Sequence, residues 1–288
     1  MKLALGTVQF GLDYGVASKS GRVTVQEAGA ILRGAQIRGI NTIDTAIAYG
    51  DSEVVLGQLG VKNWNTITKL PAVPNDCRDV KQWVYDQTQE SLSRLSISQL
   101  YGVLLHRPAQ LFAPMGEDLY VGLQDLKEKG ITHKVGISVY STNELSKLLN
   151  YYSFDLVQAP LNILDRRLIE SGWASRLSKA GIEVHSRSTF LQGLLLMPSY
   201  QRPAKFNLWA DTLKEWDQWL ERSGLTSLQA CMRYVSNLKE VDCVVVGVDT
   251  LDQLSQIVDA AEGELKTLPE FKALKDTRLI DPSCWNQL

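Results

Sequence analysis

The sequence predicts an α/β fold, a closed (β/α)8 TIM barrel running as a single domain over residues 1–288, for three reasons. Short apolar runs alternate with helix-period segments along the whole chain, and there are eight such runs. The runs are near-continuously apolar rather than alternating, the pattern of parallel strands covered on both faces. The first run leads into Gly6-Thr7-Val8-Gln9-Phe10-Gly11. That segment lacks the G-x-G-x-x-G spacing a doubly wound open sheet would place there.

The elements follow in order. Lys2–Gly6 is the first strand. Thr24 and Glu27 form a capping-box pattern ahead of the stripe Ala28, Ile31, Leu32 and Ala35, and Gly39 ends that helix. Asn41–Asp44, Asn65–Lys69, Leu100–His106 and Lys134–Ser138 read as the next strands. Ser141 and Glu144 repeat the capping pattern before Leu145, Leu148 and Leu149. Leu156–Pro160 and Glu183–Arg187 follow, and Val241–Gly247 is the last strand. The interval from Arg187 to Gly247 is about twice a strand–helix unit. It holds Pro198, Pro203, Trp209, Trp216 and Trp219, which predicts an inserted loop and an extra helix over the barrel mouth. The competing expectation is an amphipathic surface helix whose tryptophans pack on the barrel.

Composition excludes several classes. Hydrophobic content of 44%, charged content of 22% and a net charge of −2 describe an ordinary globular protein without the basic excess of a nucleic-acid binder. Cys77, Cys231, Cys243 and Cys284 have no paired spacing and no nearby histidine, which argues against zinc. No run approaches the ~18 apolar residues of a membrane span, and the apolar start is too short for a signal peptide. The expected location is the cytoplasm, with reduced thiols and no nucleic-acid or membrane partner.

Four residues carry the chemistry: Asp44, Tyr49, Lys69 and His106. Three end or follow apolar runs, and Tyr49 sits in the loop after the first of these. Polar residues at the C-terminal ends of barrel strands converge on one mouth. Reducing a carbonyl needs a hydride for carbon and a proton for oxygen. A phenol is a weak acid at neutral pH, and a neighbouring ammonium favours its phenolate. Lys69 supplies such a charge, Asp44 can orient it, and His106 can donate a hydrogen bond to the substrate oxygen. Each residue has a plain alternative: a turn cap for Asp44, a surface aromatic for Tyr49, a solvated charge for Lys69, a structural imidazole for His106. Together, at successive strand ends, they favour catalysis.

In order and spacing these residues, with the segments IDTAIAYG, ITKL, LLHRP and VGIS, resemble the catalytic tetrad and strand ends of the aldo-keto reductases. The resemblance runs from Leu5-Gly6-Thr7 to Val246-Gly247. It implies a nicotinamide-dependent oxidoreductase acting on an aldehyde or ketone, with Tyr49 as general acid and base. It also implies that Ser138 and Gln158 meet the carboxamide of NAD or NADP. Gly6 and Thr7 fall near the cofactor, as do Ser188, Phe190, Gln192 and Gly193. Two departures stand out. Val139 replaces an asparagine common after the serine. Arg187 takes the place of an aromatic that stacks on the nicotinamide; its plane could stack too, and its charge would disfavour the oxidised ring.

The segment from Gly247 through Asp249, Thr250, Gln253 and Gln256 lacks the Lys or Arg with which NADPH-using members hold the 2′-phosphate. Asp249 or Asp252 could instead accept a ribose hydroxyl, which makes NADH the more plausible partner. Thr250 and Gln253 also form a capping pattern. A cation from elsewhere, Arg187, Arg202 or Lys205, could restore the phosphate site. The opening Gly6–Gly15 is similar to bacterial members associated with surface-polysaccharide sugars, so a sugar-like carbonyl is one expectation. Other readings stay open: a lyase with Lys69 as Schiff-base nucleophile, a non-catalytic cofactor-binding module, or an epimerase that recycles its cofactor. The substrate and oligomeric state are not legible.

Overall fold

The computed structural model describes residues 2–16, 21–271 and 276–287. Its first half runs β1 (Leu3–Gly6), α1 (Val8–Gly11), α2 (Val25–Ile37), β2 (Thr42–Asp44), α3 (Ser52–Leu59), β3 (Asn65–Leu70), α4 (Val80–Leu95), β4 (Leu100–Leu105) and α5 (Gly116–Glu128). The second half runs β5 (Thr132–Ser138), α6 (Thr142–Leu149), β6 (Leu156–Pro160), α7 (Arg167–Glu170), α8 (Trp173–Lys179), β7 (Glu183–Arg187), α9 (Ala210–Ser223), α10 (Ser227–Ser236), β8 (Cys243–Gly247) and α11 (Leu251–Ala260). All eight strands are parallel and close in sequence order, β1 pairing with β8. The expected barrel is therefore correct, with strand limits shifted by at most two residues. His106 lies just past β4, its N–H still donating to Leu70 O at 3.0 Å.

The strands are apolar throughout because they face two cores. Ile67, Leu104 and Leu156 meet inside the barrel, while the large cluster fills the space between strands and helices. Register sets the mouth: Gly6 pairs with Asp44 and with Gly247, and Ser138 with Gln158. Helix starts follow the sequence, with one difference. Thr24, Ser141 and Thr250 each accept the N–H of the third helical residue. Their acidic or amide partners do not return to the cap itself. Glu27 accepts Leu251 N–H and so ties α2 to α11, while Gln253 accepts Asp249 N–H. The reciprocal box forms instead at Thr226 and Gln229.

The long interval before β8 divides its work. α9 buries Leu213, Trp216 and Trp219 on one face, and Trp216 Nε1 donates to Leu195 O at 3.1 Å. Its tryptophans are thus core residues, and no α9 residue lines the mouth. The loop ahead of it does, through Ser188, Thr189, Phe190, Gln192, Gly193 and Leu196. An insertion over the mouth is right for the loop and wrong for the helix, whose apolar face has a core to fill. Among the described residues, no helix is long and apolar enough to cross a membrane.

Candidate active site

Three strand ends and one loop build the centre. Lys69 near the end of β3 is fully buried, and its Nζ donates to Asp44 Oδ1 at 2.6 Å and to Thr45 O at 2.8 Å. The same Nζ lies 3.5 Å from Tyr49 OH, a long contact. Such contacts commonly tighten only when substrate is bound. Burial opposes the Lys69 charge, yet the Asp44 carboxylate and Tyr49 outweigh it and hold the ammonium's pKa above its ordinary value. Tyr49 is positioned by backbone fit. A Cβ on Gly11 would sit 1.7 Å from Tyr49 O, so only glycine lets α1 close against the Tyr49 loop. Gly50, at φ +56°, makes the turn that follows.

His106 meets the Tyr49 ring edge-on, with centroids 5.8 Å apart. Burial, then the Lys69 charge, lowers its pKa to about 4. It is therefore a neutral imidazole at physiological pH, able to donate a hydrogen bond without bringing in a second positive charge. A further polar chain extends from Asp44. Gln158 Nε2 donates to Asp44 Oδ2 at 2.7 Å, and Ser138 Oγ donates to Gln158 Oε1 at 3.2 Å. Both carboxylate oxygens of Asp44 are thus fixed, one by Lys69 and one by Gln158.

These groups open into a cavity of ≈ 520 Å³ at the C-terminal ends of the strands, within the range of small-molecule sites. Tyr49, Asp44 and His106 line it, as do Asp249 in the loop between β8 and α11 and Gln253 and Gln256 on α11. The wall after β7 is strained: Ser188, Leu191 and Gln192 have φ of +64°, +50° and +54°. Non-glycine residues rarely adopt this region, and clusters of them mark functional loops.

Over residues 2–276 the chain matches the model of the aldo/keto reductase family. The chain belongs to that family. It is similar to an NADH-specific methylglyoxal reductase of Escherichia coli, 28% identical over 54% of each chain. It is also similar to an aflatoxin B1 aldehyde reductase of Rattus norvegicus, 24% identical over 88% of this chain and 80% of that one. The chain spans about half the length of the Escherichia coli relative. In fold it resembles an aldo-keto reductase of Bacillus halodurans, with a TM-score of 0.69, 20% identity and coverage of 97% and 90%. A putative aldo-keto reductase of Pseudomonas aeruginosa gives 0.67 at 23% identity, covering 90% of this chain and 89% of that one.

Within this family member, Gly6, Thr7, Ser138, Gln158, Arg187, Ser188, Phe190, Gln192, Gly193, Gly247, Asp249, Gln253 and Gln256 all line the cavity beside the tetrad. Thr250 does not, because its side chain caps α11. Arg187 has no acidic partner among the described residues. Its guanidinium lies over the Tyr140 ring, 4.4 Å from the centroid, and donates to Val139 O. Val139 thus contributes its carbonyl, while its side chain joins the core. The two other candidate cations are engaged elsewhere, Arg202 by Asp217 and Lys205 by Trp285 O. Sequence reading missed Gln9, Tyr14 and Tyr140 as lining residues. Tyr14 lay within a noted motif and Tyr140 directly after Val139, but nothing in their spacing distinguishes a lining aromatic from a surface one.

Proposed function

We propose that the protein is a nicotinamide-dependent oxidoreductase interconverting an aldehyde or ketone with its alcohol, with Tyr49 as general acid and base. The observation that carries this reading is the buried Asp44–Lys69 pair set beside a phenol that faces a cavity. The phenol faces the cavity with the ammonium behind it, so Tyr49 is placed to pass its proton to a developing alkoxide. His106, neutral, donates to the same oxygen and orients it. Asp44, doubly held, keeps Lys69 charged and in place. The dinucleotide, when bound, supplies the hydride.

The cavity fits such a cofactor by the chemistry of its orphaned atoms. Gln9 Oε1 and Asp249 Oδ1 are buried without a partner, and both are acceptors that ask for hydroxyl or amine donors. Burial raises the Asp249 pKa, with Gln253 opposing. Ribose hydroxyls suit these atoms, whereas a 2′-phosphate would meet a carboxylate and no nearby Lys or Arg on β8 or α11. We therefore expect NADH to be favoured, or NADPH to be preferred only weakly. Gly6, Thr7, Ser138, Gln158, Ser188, Phe190, Gln192, Gly193, Gly247, Gln253 and Gln256 complete the proposed cofactor wall, with Arg187 presenting a face to it.

Protonation and full burial of Lys69 speak against its acting as a Schiff-base nucleophile, which needs a free amine. The test is absorbance at the reduced-nicotinamide band on mixing protein, NADH or NADPH, and a panel of aldehydes and ketones that includes sugars. Loss of absorbance in proportion to added carbonyl supports the reading. Cofactor binding with no hydride transfer to any carbonyl would favour a non-catalytic binding module.

A further inference from the structure

Among the described residues that line the cavity, Arg187 is the only Lys or Arg. It is fixed on three sides. Tyr140 covers one face of its guanidinium, Nη2 donates to Val139 O at 3.0 Å, and Nη1 donates to Ser188 Oγ at 3.2 Å. A guanidinium carries five N–H donors, so its edge keeps donors with no partner among the described residues. Asp44, the carboxylate nearest the reaction, is already committed to Lys69 and Gln158. Arg187, Tyr14, His106 and Tyr49 line one cavity, His106 meets the Tyr49 ring edge-on, and Gln192 of the loop after β7 bonds Tyr14. A carbonyl compound that reaches Tyr49 from this cavity can present a second group to Arg187 and Tyr14.

Tyr14 adds a second donor. Its oxygen accepts from Gln192 Nε2 at 3.3 Å, and its own proton has no acceptor among the described residues. Burial, with Tyr49 beside it, raises its pKa, so it keeps that proton at neutral pH.

We propose that the carbonyl substrate carries a carboxylate, held by the edge of Arg187 and by the Tyr14 hydroxyl. The proposal rests on the carbonyl-oxidoreductase reading and names its substrate class. An unpaired cation in a half-buried site is stabilised by an anion, and a planar fork of N–H donors matches a carboxylate in shape. Stacking uses the faces of a guanidinium and hydrogen bonding its edge, so a cofactor ring against the open face leaves this role intact.

The test compares 4-carboxybenzaldehyde with methyl 4-formylbenzoate, which differ in charge at one end. The readout is each protein's own ratio of kcat/KM for the two, so a general loss in a variant cancels. The wild-type ratio is expected at about 10- to 100-fold in favour of the carboxylate, the range of a charge-assisted hydrogen bond. Arg187→Met should bring it close to unity, and Tyr14→Phe should lower it by about 3-fold or more. A wild-type ratio near one, or equal ratios in wild type and Arg187→Met, overturns the proposal. Weakened dinucleotide binding at an unchanged ratio also overturns it, by giving the cation to the cofactor's phosphates. Benzoate against benzamide, titrated by tryptophan fluorescence with NADH present, reads the same site without turnover. The oxidoreductase reading is tested separately by the carbonyl panel and falls only if no carbonyl is reduced. The benzoate titration still decides: a preference lost in Arg187→Met supports the anion site, and a benzoate affinity that Arg187→Met leaves unmoved refutes it.

Discussion

The β2–β4 side of the mouth and the β7–β8 side are built on opposite terms. On the first, the polar groups satisfy one another: Lys69 bonds Asp44 and Thr45, and Gln158 bonds the second Asp44 oxygen. On the second, Asp249 Oδ1 is buried without a partner, as is Gln9 Oε1 across from Gly247. There too Arg187 lacks an acid among the described residues, and three non-glycine residues hold positive φ. A site that supplies chemistry must be organised before the reactants arrive, because reorganisation during reaction raises the barrier. A site that binds a ligand can leave its own atoms short, because the ligand completes them. Under the proposed function, the difference separates the residues that would react from those that would hold the ligand.

The largest effect should come from breaking the first side at its tip. Tyr49→Phe keeps the ring and removes the proton, so carbonyl reduction should fall by about 10²–10⁴. NADH affinity, read by fluorescence, should move no more than a few-fold. Undiminished turnover would remove Tyr49 from the acid role and with it the contrast between the sides.

Breaking the pair beneath Tyr49 should cost stability as well as rate. Lys69→Met leaves Asp44 charged and buried, and removing one partner of a buried pair destabilises by about 3–5 kcal/mol. Urea denaturation would measure it. A change under about 1 kcal/mol would mean that Asp44 finds another partner or a proton. The matching change on the other side has the reverse sign. Asp249→Asn removes an unpaired carboxylate, so stability should hold or rise, while the NADH-to-NADPH affinity ratio falls by about 10-fold. A strongly salt-dependent NADPH preference of about 100-fold in the wild type would reveal a basic pocket and reverse this assignment.

The two sides were also unequally legible. Asp44, Lys69 and His106 could be placed from sequence because each ends or follows an apolar strand, and strand ends in a parallel barrel share one mouth. Tyr49 was legible only through the resemblance, since its position depends on Gly11 and Gly50 packing backbone against backbone. The Gln158–Asp44 bond, spanning residues far apart in the chain, has no local signal. Trp216 and Trp219 were ambiguous because an apolar stripe on a helix reads alike whether it covers the mouth or fills a core. Arg187, expected at the cofactor, lines the cavity, but its stacking on Tyr140 depends on a loop conformation that the sequence does not reveal.

The most gradual effect concerns pH. His106 titrates near 4 in the fold against 6.5 as its ordinary value. Below 6.5 the unfolded chain takes up a proton that the folded chain refuses, so stability falls as pH drops from 6.5 towards 4. The His106 contribution is fully present above 6.5. The slope is at most about 1.4 kcal/mol per pH unit, and His106→Asn should flatten it. An unchanged slope would place the neutral imidazole in doubt.

Hydrogen exchange with and without saturating NADH tests the contrast itself. The account predicts added protection in residues 188–196 and 249–257, whose atoms the ligand would complete, and little change in residues 42–49 and 66–70. Equal protection on both sides, or protection confined to the Asp44–Lys69 side, would contradict it.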